Sequence, residues 1–111
     1  MAGTLKKIAG PAYIAAAAAD IYAPPAATIY TVIRHIHIAN RGAAACSFCL
    51  YVGATGGSAA GTELYKDVNI PIAGYFDAYM TLKLTSADFL SGVASLASHC
   101  VITVEGEQNV V

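Results

Sequence analysis

An all-β fold, an antiparallel sandwich or jelly-roll-like domain of seven or eight short strands, is predicted by three features of this sequence. Apolar and polar residues alternate with a period of two in residues 28–52 and 75–84, the pattern of a half-buried strand. Gly- and Pro-containing turn signals separate such segments at short intervals. Strong helix propensity is confined to the Ala tract 15–20, fenced by Pro11 and Pro24-Pro25, and a tract that short is marginal alone. The 111 residues make one domain able to bury a core without metal or disulfides. The expected organisation is an N-terminal arm over residues 1–7, a sandwich over 8–107 and a tail over 108–111.

Each element follows from local chemistry. Residues 8–14 form a first strand, which Gly10-Pro11 confines to an edge or a bend. Residues 15–20 are left open between a helical turn and a strand or loop. Pro24-Pro25 redirects the chain. In 28–40, Arg34, Ile36 and Ile38 alternate against His35 and His37. In 46–52, Cys46, Phe48, Leu50 and Val52 alternate against Ser47, Cys49 and Tyr51. With the turn signal Asn40-Arg41-Gly42 between them, the two segments read as a hairpin whose core is Ile36, Ile38, Phe48, Leu50 and Val52. Residues 53–61 are a Gly-rich exposed loop. Residues 63–67 form a short strand, continued through 68–72 across a bulge, with Pro71 marking an edge. Ala73-Gly74 is a turn. In 75–84, Phe76, Ala78, Met80, Leu82 and Leu84 face one way, and Tyr75, Asp77, Tyr79, Thr81 and Lys83 the other. Residues 86–91 read as a short helical turn capped by Ser86 and ended by Gly92. The last strand spans 99–107, with Cys100, Ile102 and Val104 inward.

Composition narrows the function. Net charge is −1, charged residues are 12% and hydrophobic residues 57% of the chain, against about 25% charged in ordinary domains. There is no basic field for nucleic acid. No apolar run reaches the ~18 residues of a membrane-spanning helix. Gly10-Pro11 interrupts the stretch after Lys6 and Lys7, so no cleaved signal is expected. A subunit that buries much of its outside against neighbours accounts best for this balance. Three cysteines, Cys46, Cys49 and Cys100, do not make a closed disulfide framework and are expected reduced.

The residues that invite a chemical reading carry it poorly. His35, His37, Cys46 and Cys49 are ligand types for zinc. On continuous strands, however, the cysteines fall on opposite faces, while the histidines share one. CxxC redox chemistry needs a helix N-terminus, and none follows Cys49. His99 and Cys100 are adjacent on a strand and point apart, so the imidazole is badly placed to activate the thiol. The loop at 53–61 lacks the Gly-Lys-Ser/Thr ending of a phosphate loop. Glu105 and Glu107 share a face near the chain end, where solvation is expected. No catalytic, metal or cofactor site is assigned. The outward tyrosines are more informative. Tyr51, Tyr65, Tyr75 and Tyr79 fall opposite the expected core, and tyrosine supplies apolar area with a polar tip at interfaces. With Lys6 and Lys7 of the arm they form the candidate interface. A glycan-binding module is a rival for such a face, weakened by the absence of Trp.

The order of segments also carries a resemblance: an Ala-Gly-Pro start, IYxxP, TIYTVIRHIHIAN, CSFCLYVGATGG, AGTELYKD, a Tyr-rich strand, SADFLSG and ITVEGE. Over residues 7–107 the chain resembles small virion structural proteins of tailed bacteriophages. The resemblance implies a non-enzymatic β-sandwich subunit used in many copies, with no catalytic residues to carry over and no cofactor. It further implies a capsid decoration or cement protein, commonly a homotrimer, bound to the major capsid protein on the shell exterior and assembled in the bacterial cytoplasm. The alternative is a neck, tail or baseplate ring subunit. Direct contact with nucleic acid or membrane is not expected.

Overall fold

Eight strands carry the chain: β1 (Lys6–Tyr13), β2 (Ala19–Tyr22), β3 (Ile29–Asn40), β4 (Cys46–Gly53), β5 (Glu63–Ile70), β6 (Tyr75–Leu84), β7 (Phe89–Ala94) and β8 (Cys100–Val110). The computed structural model describes residues 5–54 and 62–110. The strands form two four-stranded antiparallel sheets, ordered β1-β8-β3-β6 and β2-β7-β4-β5. Pairing is nested: β1 with β8, β2 with β7, β3 with β6, β4 with β5. The chain is in effect one long hairpin, closed between β4 and β5 and rolled until β3 meets β8 and β4 meets β7. That is a jelly roll, the fold class the period-two segments predict.

Burial drives the rolling. One sheet contributes Ile33, Ile36, Ile38, Leu84, Cys100, Ile102 and Val104 to the core; the other contributes Cys46, Phe48, Leu50, Ile70, Leu90 and Ala94. The expected core residues Ile36, Ile38, Phe48 and Leu50 are buried, and Val52 packs at the margin. Phe76 receives Phe48 and Tyr65 edge-on, each at 5.1 Å between ring centroids, a favoured aromatic geometry. β1 is an edge strand containing the Gly10-Pro11 peptide. β5 is an edge strand with an irregularity at Asp67, whose φ is 51°.

Three expectations are corrected. β3 and β4 do not form a hairpin: they lie in different sheets. Their apolar faces oppose each other across the core, so residues 41–45 cross between sheets instead of turning within one. Asn40 fixes that crossing from inside. Its Nδ2 donates to the carbonyls of Ala44 (2.8 Å) and Ile70 (3.0 Å), and its Oδ1 accepts from the Gly42 amide (2.9 Å).

Arg34 is the second. Plain alternation puts it inward with Ile36, but the register slips between Ile33 and His35. β3 carries one more residue than β8 there, so Ile33 and Ile36 are both buried and Arg34 is exposed. Such bulges re-aim side chains. Gly106 permits this one: a Cβ at that position would lie 2.3 Å from the Val32 carbonyl oxygen.

The third is the helical turn at 86–91. The chain makes a β-turn over 85–88, with Asp88 N donating to Thr85 O (3.0 Å). The Asp88 carboxylate accepts from Thr85 N (2.8 Å) and Thr85 Oγ1 (3.0 Å). Capping chemistry here closes a turn, because Leu90 is needed in the core and β7 already begins at Phe89. Gly92 stands mid-strand. The Ala tract bends over 16–17 and enters β2 at Ala19.

Strand pairing also reaches into the segments set aside as arm and tail. Lys6 and Lys7 pair with Gly106 and Glu105, and β8 continues to Val110 opposite Ile29. Residues 1–4 of the arm, 55–61 of the Gly-rich loop and residue 111 lie outside the described residues. Among the described residues no helix is long and apolar enough to cross a membrane.

Candidate functional site

The outer face of the β8-β3-β6 layer carries a connected polar network. Downstream of the bulge, His35 and His37 project outward from β3. Register places His35 beside Glu105 of β8, and His37 beside Asp77 of β6. Asp77 Oδ1 lies 2.8 Å from His35 Nε2 and 2.7 Å from His37 Nδ1. His35 Nδ1 lies 3.0 Å from Glu105 Oε1. One row along, Arg34 donates to Glu107 (2.8 Å) and Thr81 (3.0 Å). Two tyrosines flank the imidazoles: Tyr79 stacks on His35 at 4.4 Å and 9°, and Tyr75 lies over His37 at 5.9 Å and 28°.

His35 has a carboxylate oxygen at each ring nitrogen, so the imidazolium, donating from both, satisfies both. The Glu105 hydrogen bond, opposed by partial burial and reinforced by Asp77, raises its pKa above the usual 6.5. Hydrogen bonds from His37 and then His35 lower that of Asp77. The signs follow from linkage. The His35 contribution is full below its unfolded pKa and is lost as pH rises through the raised folded value. The Asp77 contribution is present above its unfolded pKa and is lost as pH falls through the lowered folded value. Wild type is therefore expected to exceed a His35→Gln variant in Tm at about pH 5–6, with the gap narrowing above about pH 7. Thermal melts across this range check it; a constant gap contradicts the assignment.

The cysteines separate as alternation predicts. Cys46 faces the core, where Ser95 Oγ donates to its sulfur (3.4 Å). Cys49 faces outward, accepting from the Asp67 amide (3.2 Å). Both stand on the sheet opposite His35 and His37, so the HxH and CxxC motifs do not meet. Burial, with the Cys46 hydrogen bond, pushes the Cys100 thiol up to about 12, far from a reactive thiolate. The His99 ring covers Gly42, where a Cβ would lie 1.9 Å from His99 Cδ2.

The candidate interface residues disperse. Lys6 and Lys7 are exposed on edge strand β1. Tyr51 is half-buried on the other sheet. Tyr65 pairs opposite Leu50 and packs inward against Phe76, because the Asp67 irregularity shifts the β5 register. Tyr75 and Tyr79 stay outward, 69% and 80% exposed. Sequence reading missed Asp77, Glu105 and Glu107 as partners of this cluster. Alternation places Asp77 on the face of Tyr75 and Tyr79, but nothing local says that this face adjoins the histidines.

No family model and no curated protein matches the chain. Among solved structures, a chain of the Bacillus endospore appendages, described as a family of disulfide-linked pili, is similar at 15% identity and a TM-score of 0.55, over 100% of this chain and 91% of that one. A pentameric capsid protein isolated from metagenomic phage sequences aligns at 16% identity and a TM-score of 0.40, over 91% of this chain and 61% of that one. The likeness to the appendage chain is one of fold, and it spans the whole domain.

Proposed function

We propose that this chain is a non-enzymatic structural subunit of a multi-copy assembly, and specifically a decoration or cement protein on a phage capsid. The observation that carries the reading is the pair Tyr75 and Tyr79, large rings left 69% and 80% exposed on one sheet face of a chain with only 12% charged residues. Exposed rings paired on one face mark interaction sites, and Leu5, Tyr13, Ile72 and Val110 add exposed apolar area elsewhere on the domain. The jelly roll serves in viral capsids, and the order of sequence segments resembles small phage virion proteins. The mechanism is adhesive. Subunits, as homotrimers, straddle joints between major capsid proteins on the shell exterior. Each joint buries on the order of 1,600 Å², and repetition over the particle supplies avidity without chemistry.

The second reading is a neck, tail or baseplate ring subunit. It is supported by the edge strands β1, β6, β2 and β5, which offer backbone groups for lateral pairing. Quantitative mass spectrometry of purified particles separates the two: hundreds of copies support decoration, six or twelve a ring. A Tyr75→Ser, Tyr79→Ser double variant is expected to keep its stability within about 1 kcal/mol yet bind particles at least ~10-fold more weakly. Unchanged binding to particles lacking the protein removes this face from the interface.

A further inference from the structure

We propose that His35, His37 and Asp77 form a binding site for a divalent transition-metal ion of the zinc class. One ligand atom from each, two imidazole nitrogens and a carboxylate oxygen, lie within 4.8 Å of one another. The arrangement is built into the sheet. His35 and His37, two apart on β3, point the same way, and Asp77 stands directly across from His37 on β6. Both imidazoles already converge on the same oxygen, at 2.8 and 2.7 Å. An ion with tetrahedral bonds of about 2.0–2.2 Å fits once the carboxylate withdraws and the two imidazole nitrogens draw in to about 3.4 Å of each other. It takes the place of the protons now shared there.

Three further features fit a metal site. His35 Nδ1 faces Glu105 Oε1 at 3.0 Å, the outer carboxylate that orients metal-bound histidines and raises their basicity. Tyr79 and Tyr75 stack on the two rings and hold their planes. The local charge is also right: Asp77 and Glu105 supply two carboxylates, while the adjacent cation, Arg34, is engaged by Glu107. The donor set, nitrogen-rich with one oxygen, selects zinc, cobalt or nickel over magnesium or calcium. The side chains of His35, His37 and Asp77 are 19%, 39% and 29% exposed. A fourth coordination position is thus open to water or to a donor from a neighbouring subunit. All three ligands come from one chain, so the site forms whatever assembly the subunit joins.

The test uses the full chain without an affinity tag, titrated with Zn²⁺ by calorimetry and with Co²⁺ by visible absorption. The expected result is one ion per chain at micromolar affinity, with a cobalt spectrum free of thiolate charge transfer. His37→Ala and Asp77→Asn, each checked for fold by circular dichroism, are expected to weaken binding at least ~10-fold, and Glu105→Gln about 10-fold. Cys49→Ser is expected to leave it unchanged. Absence of binding at millimolar Zn²⁺, wild-type affinity in both ligand variants, or a thiolate band that Cys49→Ser removes would each overturn the site.

Discussion

Replacing Phe48 with alanine is expected to remove about 3–5 kcal/mol of stability, a large share of the about 5–15 kcal/mol that such a domain possesses. The ring is 1% exposed and is the largest fully buried side chain among the described residues. It stands on the inner face of β4, a central strand, and meets Phe76 of the opposite sheet edge-on at 5.1 Å. Truncation therefore loses the transfer energy of the ring, the aromatic contact, worth ~0.5–1.5 kcal/mol, and the packing around the cavity left behind. β4 is hydrogen-bonded on both sides, to β5 and β7, so it cannot easily shift to fill the space. Phe48→Leu keeps most of the volume and should cost a fraction of this. Urea titrations of the three proteins check the ordering; a loss below about 1 kcal/mol for alanine would mean that the sheets close over the gap.

That the core was legible and the pairing was not has one physical cause. Burial is encoded locally, because alternate residues of a strand share a face whatever strand lies beside it. Phe48, Leu50, Ile36 and Ile38 could be placed inward without knowing the topology. Pairing is encoded by the crossings. A connection of the length of 41–45 serves a hairpin as well as a passage between sheets, and the choice made here depends on Ile70, far along the chain, accepting from Asn40. Arg34 was misplaced for a similar reason: the bulge that turns it outward is permitted by Gly106, on another strand.

The metal-like cluster shows the same division. The shared face of His35 and His37 is readable from their spacing. Their partners are separated from them by 40 residues for Asp77 and 70 for Glu105, and only the order β8-β3-β6 brings the three strands together. The CxxC lies nearer in sequence, but alternation splits its cysteines between faces and the rolled topology puts it on the other sheet. The tyrosines follow suit. Tyr75 and Tyr79 alternate regularly and remain outward, whereas Tyr65 is turned inward by the irregularity at Asp67, whose φ is positive; the sequence places a bulge there but not the face to which it turns the ring.

Asn40→Leu is expected to cost about 2–4 kcal/mol, the sum of buried polar groups left without partners. Asn40 is 3% exposed, and leucine fills its volume while offering neither donor nor acceptor. The carbonyls of Ala44 and Ile70 and the amide of Gly42 lose the side chain that now satisfies them. The damage spreads because three crossings meet at this end of the sandwich. The backbone amide of Asn40 donates to Gly74 O, in the β5–β6 link, and that of Arg41 to His99 O, in the β7–β8 link. Asn40→Asp does not rescue. It keeps the acceptor for Gly42 but turns a carboxylate oxygen toward two carbonyls, so it should cost at least as much near neutral pH. Urea denaturation gives the magnitude, and a loss under about 1 kcal/mol would show that water replaces the side chain. Position can be read separately, since Arg41 is exposed beside the pinned turn. If Asn40 holds the crossing, trypsin should cut Asn40→Leu after Arg41 faster than wild type under native conditions. In Phe48→Ala, destabilised from the middle of the core, cleavage there should rise only in step with global unfolding.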